Sequence, residues 1–362
     1  MFKEINKNTI NDLIEYLIKI LEEDLQNIAY ERSLFYILNT VRRGGFFYYD
    51  DNFFLVFAKS YDKPNTLSLI FFNKPEVFDR LFKELLKSKP LKNTDIFVHS
   101  LFKKTIDKLK KEFPYSLVVD ENTSKKINAY PLEDNYPQII YDLTSLPRFQ
   151  NSAFEKIMYL YDALKKSKGS FKQSILEYLN KAKKPLNEPE IITVVITDKI
   201  SHAVRTFISY VFKKIFKNWR DEKYIPKEME KYYVEPIQNL FSLLTDSTIL
   251  SKVQSQIIFR AHFDINLEKG GLWVGEFIPH KSLFIPHILL TDYYYKNQYL
   301  YLIWDMILYC YTKNFMRINI GGCEEEDLFN IKKAPEDLLG DKVKERKLYT
   351  LYIPSNKNNK RL

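Results

Sequence analysis

The stretch that decides the fold is Ser282–Lys333, SLFIPHILLTDYYYKNQYLYLIWDMILYCYTKNFMRINIGGCEEEDLFNIKK. Leu283–Leu290 is a short apolar run between Lys281 and Asp292, as expected of a buried strand. Pro286 lies inside it and cannot donate to a ladder, so the strand should be bulged or splayed on one side. From Tyr293 to Lys313 there is no Gly or Pro, and apolar residues fill nearly every turn, which predicts a helix buried on most sides. Lys313 falls in its last turn, and Asn314 suits a left-handed cap. Met316–Ile320 alternates apolar and polar, as a strand does, and ends at Gly321-Gly322.

Glycine is scarce. The chain has nine in 362 residues, against roughly 25 at an average usage of about 7%. Six form the pairs Gly44-Gly45, Gly270-Gly271 and Gly321-Gly322. In such a chain a pair marks a tight turn, a positive φ or a close backbone approach.

The arrangement resembles the C-terminal core of Fem-type aminoacyl transferases and of phosphatidylglycerol lysyltransferases, a branch of the GNAT superfamily. In that branch a helix rich in Trp, Ile and aromatics precedes a strand ending in Gly-Gly, and a Phe-Lys pair follows. Here Trp304, Asp305 and Ile307 stand on the helix, Gly321-Gly322 at the strand end, and Ile331-Lys332 in place of Phe-Lys. Similar families also carry a Tyr-Asp-Leu segment entering a basic helix between two GNAT units, matched by Tyr141, Asp142 and Leu143. About fifty residues carry the resemblance well, and the rest matches by pattern.

The length favours two domains, because single cores rarely exceed ~250–300 residues. A hydrophobic share of 45% and an aromatic share of 15% supply a large core. A net charge of +9 favours an anionic partner such as tRNA, a nucleotide or an acidic lipid, although Lys-rich composition also follows from AT-biased genomes or heat adaptation. Cys310 and Cys323 have no metal-type spacing, which points to a reducing cytoplasm rather than a disulfide framework. No signal-like start is present. No uncharged apolar run reaches ~18 residues outside the buried-helix candidate, which carries Asp305, so no integral membrane segment is expected.

Along the chain, the first part reads as two helices, a hairpin around Asp50-Asp51-Asn52, a strand at Leu67–Phe72, a helix from Pro75 to Lys87, a strand at Asp95–His99, a helix at Lys103–Lys111 and a strand at Ser116–Asp120. That is the element order of a GNAT fold. A helical region spans Phe154–Lys181, and Pro185 and Pro189 mark a linker. The order then repeats. Ile191–Ile196 is a strand, and Ser201 caps a helix with apolar residues Val204, Phe207, Ile208, Val211, Phe212, Ile215, Phe216 and Trp219 and a basic side of Arg205, Lys213, Lys214, Lys217 and Arg220. A further helix, Lys227–Leu244, should kink or split at Pro236. Gln256–Ile265 alternates, with Arg260 and His262 on the polar face. Asn266–Gly271 reads as a turn, and a last strand covers Lys347–Ile353.

The expected fold is therefore α+β: two tandem GNAT-like domains, each a mixed, mostly antiparallel sheet flanked by helices. The expected boundaries are 1–148, a helical connector and linker at 149–189, a C-terminal catalytic domain at 190–354 and a basic tail at 355–362.

The resemblance implies transfer of an aminoacyl or acyl group to an amine or hydroxyl, without metal or cofactor, in a cleft of the second unit that the first would close. Donor candidates are aminoacyl-tRNA and acyl-CoA, and acceptors are small-molecule, lipid or peptide amines. Such transfer needs donors for the developing oxyanion and a group that takes the amine proton. The splayed strand would supply backbone N–H groups. Acetyl-CoA users follow it with a glycine loop around the pyrophosphate, whereas this chain has TDYYYKNQYLY. Asp292 and Tyr293, at the end of the strand, and Lys332, carried over from the family pattern, are the catalytic candidates. Arg260, His262, Gly321, Gly322 and Lys333 are the substrate-binding candidates. The alternatives are an N-acyltransferase using acyl-CoA or acyl carrier protein, and a catalytically silent relative that binds tRNA or another anion.

Overall fold

The computed structural model describes residues 1–23, 33–50, 53–60, 63–73, 78–127, 138–149, 153–166, 190–263, 270–279, 282–291, 298–322, 331–332, 335 and 339–355. In chain order the elements are β1 (Phe2–Glu4), α1 (Ile10–Glu23), α2 (Leu34–Val41), β2 (Gly45–Tyr49), β3 (Phe54–Lys59), β4 (Thr66–Phe72), α3 (Phe78–Leu85), β5 (Asp95–Leu101), α4 (Lys103–Glu112), β6 (Leu117–Val118), α5 (Glu121–Ile127), β7 (Gln138–Asp142) and α6 (Ala153–Lys166). They continue with β8 (Glu190–Ile196), α7 (His202–Lys223), α8 (Glu230–Leu244), α9 (Ser247–Leu250), β9 (Gln256–Phe263), β10 (Gly270–Ile278), β11 (Leu283–Thr291), α10 (Gln298–Thr312), β12 (Arg317–Gly322), β13 (Val343–Arg346) and β14 (Tyr349–Ile353). Two compact units result, one of residues 1–138 with 346–362 and one of residues 139–345.

The first unit holds a seven-stranded sheet in the order β1-β2-β3-β4-β5-β14-β6. The β2–β3 hairpin pairs Gly45–Tyr49 with Phe54–Ala58, as the two aromatic runs suggest, although Asp51 and Asn52 lie outside the described residues. Its ladder continues into β4 through a bulge between Val56 and Phe57. β4 and β5 run parallel from Thr66–Asp95 to Leu69–Val98. One face packs Leu55, Phe57, Leu69, Val98 and Leu351 with Phe82, Ile106 and Leu109 from the helices.

The second unit repeats the design in the order β13-β7-β12-β11-β10-β9-β8. β8 to β11 form an antiparallel ladder, and β11 and β12 are parallel. Alternation along each strand gives the sheet two buried faces. On one, Ile258, Trp273 and Phe284 join Leu302, Ile303 and Ile307 of α10. On the other, Phe212 of α7 stacks on Phe241 of α8, and Phe241 meets Phe259 edge-on.

Four expectations change. The final strand was read as part of the second domain, yet β14 pairs with β5 and β6 inside the first sheet, while β7 enters the second. Local pattern identifies a strand but not the ladder it joins, so this exchange left no local signal. Pro236 does not split its helix. The break lies earlier, where a 3-10 turn at Lys227–Met229 precedes a continuous α8. Tyr232, Val234, Leu240, Phe241 and Leu244 bury the helix against its sheet, and that packing outweighs the lost hydrogen bond. Gly270-Gly271 belongs to β10 rather than to a turn. A Cβ on Gly271 would stand 3.0 Å from Leu302 Cδ1 and 3.1 Å from the Leu290 carbonyl oxygen. Finally, Val204 and Phe207 of α7 are exposed, so its apolar face is narrower than the spacing implied. The helical region after Lys166 and the Pro185–Pro189 linker lie outside the described residues.

Candidate active site

The site is built around β11. Pro286 stands opposite Gly275, and the ladder with β10 shifts register between Val274 and Gly275, leaving His287 as the extra residue of the bulge. Pro286 lacks the N–H that a regular ladder requires there. On its other side β11 pairs with β12 at Leu283–Arg317 and Phe284–Ile318. Beyond these pairs no further pairing joins the two strands among the described residues, although β11 runs on to Thr291 and β12 to Gly322. Two parallel strands thus part into a fork on the C-terminal side of their short ladder.

In β12 the last residue but one, Gly321, has φ 82°, the left-handed region that a residue with a Cβ rarely enters, and Asn319 Oδ1 accepts its N–H at 3.0 Å. Beyond lies Ile331, buried, whose carbonyl accepts the Tyr141 hydroxyl at 2.6 Å. Lys332 follows, and its Nζ meets Glu345 Oε2 at 2.5 Å, with both side chains partly exposed. Asp142 beside Tyr141 accepts from Thr144 and faces Lys344 at 3.4 Å. Burial acts to raise its pKa, but those partners hold it below the usual carboxylate range. The Tyr-Asp-Leu segment therefore ties Ile331 and Lys344 to the end of β7.

α10 lies over this sheet and is pinned at two points. Asp305, fully buried, takes Arg260 Nε at 2.5 Å and Nη2 at 2.6 Å, His262 Nε2 at 2.8 Å and Trp273 Nε1 at 2.9 Å. Arg260 also donates to Thr193 Oγ1 and lies over the Tyr309 ring. Burial would push the Asp305 carboxyl up, but His262 and Arg260 hold it well below the usual range. At the other end Lys156, 3% exposed, donates to the carbonyls of Tyr311 and Thr312 and to Asn314 Oδ1 at 2.6 Å. A cation at the C-terminal carbonyls suits the helix dipole. Asn314 has φ 63°, the cap that its position in the sequence predicts.

A second buried polar group lies on the opposite face of the sheet. Glu276 accepts from Ser255 Oγ at 2.6 Å and stands 3.3 Å from Nε2 of His287, the bulge residue.

The predicted residues therefore separate. Arg260 and His262 come together on Asp305, Gly321 and Gly322 end β12, and Lys332 faces Glu345. Asp292, Tyr293 and Lys333 lie outside the described residues, as does Cys323. Cys310 is buried, and burial pushes its thiol up. Among the described residues no cluster of His, Cys, Asp and Glu could hold a metal ion. Sequence reasoning missed Asp305 as a hub. The signal was there: one carboxylate inside a helix apolar on most sides must find a cation.

No family model and no curated protein matches the sequence. Solved structures do. L-PGS from Bacillus licheniformis aligns over 94% of this chain and 92% of its own, with TM-score 0.50 and 12% identity. A tandem GNAT protein from the clavulanic acid biosynthesis pathway aligns over 97% and 98%, with TM-score 0.42 and 6% identity. FemX aligns over 98% of both chains, with TM-score 0.38 and 13% identity. The likeness to L-PGS is one of fold, and the strand order of the two sheets, each mixed and flanked by helices, is that of two GNAT-like units.

Proposed function

We propose that the second unit transfers an aminoacyl or acyl group to an amine or hydroxyl acceptor. The fork between β11 and β12 carries this reading. Attack on an ester or thioester carbonyl puts negative charge on its oxygen, and fixed backbone N–H groups at an opened strand stabilise that charge with little reorganisation. The bulge at Pro286–His287 and the early end of the β11–β12 ladder supply such an opening.

In this reading Asp292 or Tyr293, next after β11, manages the proton of the attacking group. Gly321 and Gly322 let substrate approach the backbone closely. Lys332 and Lys333 meet anionic charge, with Glu345 as the partner that substrate displaces from Lys332. Arg260 and His262 chiefly fix α10 and touch substrate only through their exposed edges. Aminoacyl-tRNA is the favoured donor, since TDYYYKNQYLY offers no glycine loop for a pyrophosphate. No described helix is long and apolar enough to cross a membrane. We place the reaction in the cytoplasm, with a small-molecule, lipid or peptide acceptor.

Native mass spectrometry of the purified chain with lysyl-tRNA, uncharged tRNA and acetyl-CoA tests this. Retention of charged over uncharged tRNA, with loss of the aminoacyl group once an amine is added, is the expected result. Retention of acetyl-CoA alone transfers the reading to the acyl-CoA class. Retention of none of the three removes the aminoacyl-transfer reading.

A further inference from the structure

We infer that the outer face of α7 is a docking surface for an anionic phospholipid membrane. α7 buries Ile208, Val211, Phe212, Ile215 and Phe216. On its other side Phe207, Tyr210, Lys214 and Lys217 follow at spacings of three, four and three, so they share one stripe about 15 Å long. Phe207 is 42% exposed and Tyr210 53%. Lys213, three residues after Tyr210, and Lys217 are exposed, and Lys214 is half-buried.

Two observations select an anionic lipid surface over other partners. The first is charge. Among the described residues no ion pair joins Lys213, Lys214 or Lys217, and Asp221, the acidic residue on the stripe, is taken by Arg220 at 3.1 Å. The second is the kind of cation. Arg205 is used internally, donating to the carbonyls of Thr197 and Thr245 at 2.6 Å. Planar guanidinium forks read individual phosphates, whereas flexible lysines suit a diffuse negative surface. Exposed aromatics beside lysines on a helix lying along the protein are the composition of an interfacial helix, with the rings entering the headgroup layer. This inference does not depend on the acyl-transfer reading.

The test is co-sedimentation of the full chain with vesicles of phosphatidylcholine alone and of phosphatidylcholine mixed with phosphatidylglycerol. Binding is expected only to the mixed vesicles, weakening as salt rises. Phe207→Ser with Tyr210→Ser should abolish most of it. Lys213→Glu, Lys214→Glu and Lys217→Glu should lower the partition coefficient by about fivefold each or more. A control with the same charge change on exposed lysines elsewhere, Lys87→Glu, Lys89→Glu and Lys92→Glu, should bind almost as the parent does. Thermal melting checks that each variant folds. The inference fails if mixed vesicles are not bound, if neutral vesicles are bound equally, or if stripe and control variants behave alike. It also fails if tRNA displaces the chain from the vesicles and needs the same residues.

Discussion

At the scale of single residues, two charged groups make opposite predictions. Lys332 and Glu345 form a partly exposed pair, and such pairs contribute only about 0–1 kcal/mol. Lys332→Ala should therefore leave the melting temperature nearly unchanged while abolishing transfer, measured as aminoacyl loss from the donor in the presence of an amine. Surviving activity, with Lys333→Ala equally silent, would remove both lysines from the chemistry. Asp305 is the reverse case. Asp305→Ala strands Arg260 and His262 beside a buried void, and breaking a buried ion pair costs about 3–5 kcal/mol. Denaturant titration should show that loss. The place of Lys332 after the Gly-Gly pair can be read from the sequence, but its pairing with Glu345 cannot. The aspartate's partners were not legible either, because pairing across β9, β10 and α10 is a property of register rather than of spacing.

Elements carry the next predictions. Lys156 on α6 satisfies the last carbonyls of α10. Lys156→Ala should cost about 1–3 kcal/mol by leaving buried acceptors unpaired, and hydrogen exchange should show fraying at the end of α10. The junction of β5 and β14 places His99 Nδ1 3.3 Å from Thr350 Oγ1. Burial, with the nearby Arg43 charge, pulls the imidazole from 6.5 down to about 4. Unfolding lets it take up a proton below pH 6.5. Its contribution is therefore complete above that pH and is lost as pH falls through 4, a change of at most about 3 kcal/mol. His99→Gln should flatten the slope of stability against pH across this window in the first unit. Strands and helices at this scale were largely readable: the hairpin, the Pro286 strand, the Ser201 cap and the Asn314 cap all follow from residue type and period. The continuity of α8 through Pro236 was not readable, because packing area, invisible in a local window, decides whether a helix tolerates proline.

For the whole molecule, the repeated element order was legible, and so was the reading of two GNAT-like units. The ownership of the last strand was not. A chain truncated after Arg346 loses β14, and with it the link between β5 and β6. Amides of the first sheet should then exchange much faster, while those of β9 to β12 keep their protection. Equal loss in both units would show that they do not fold as separate bodies.

That exchange also sets a schedule for synthesis. β5 is complete at Leu101, but its neighbour β14 emerges about 250 residues later. At ribosomal speeds of ~5–20 residues per second, the nascent first sheet waits roughly 10–50 s with one side of β5 unpaired. An open strand edge is a template for foreign chains. The newborn protein thus passes through a vulnerable interval that the finished one never shows, and slowed elongation after Leu101 should raise the aggregated fraction.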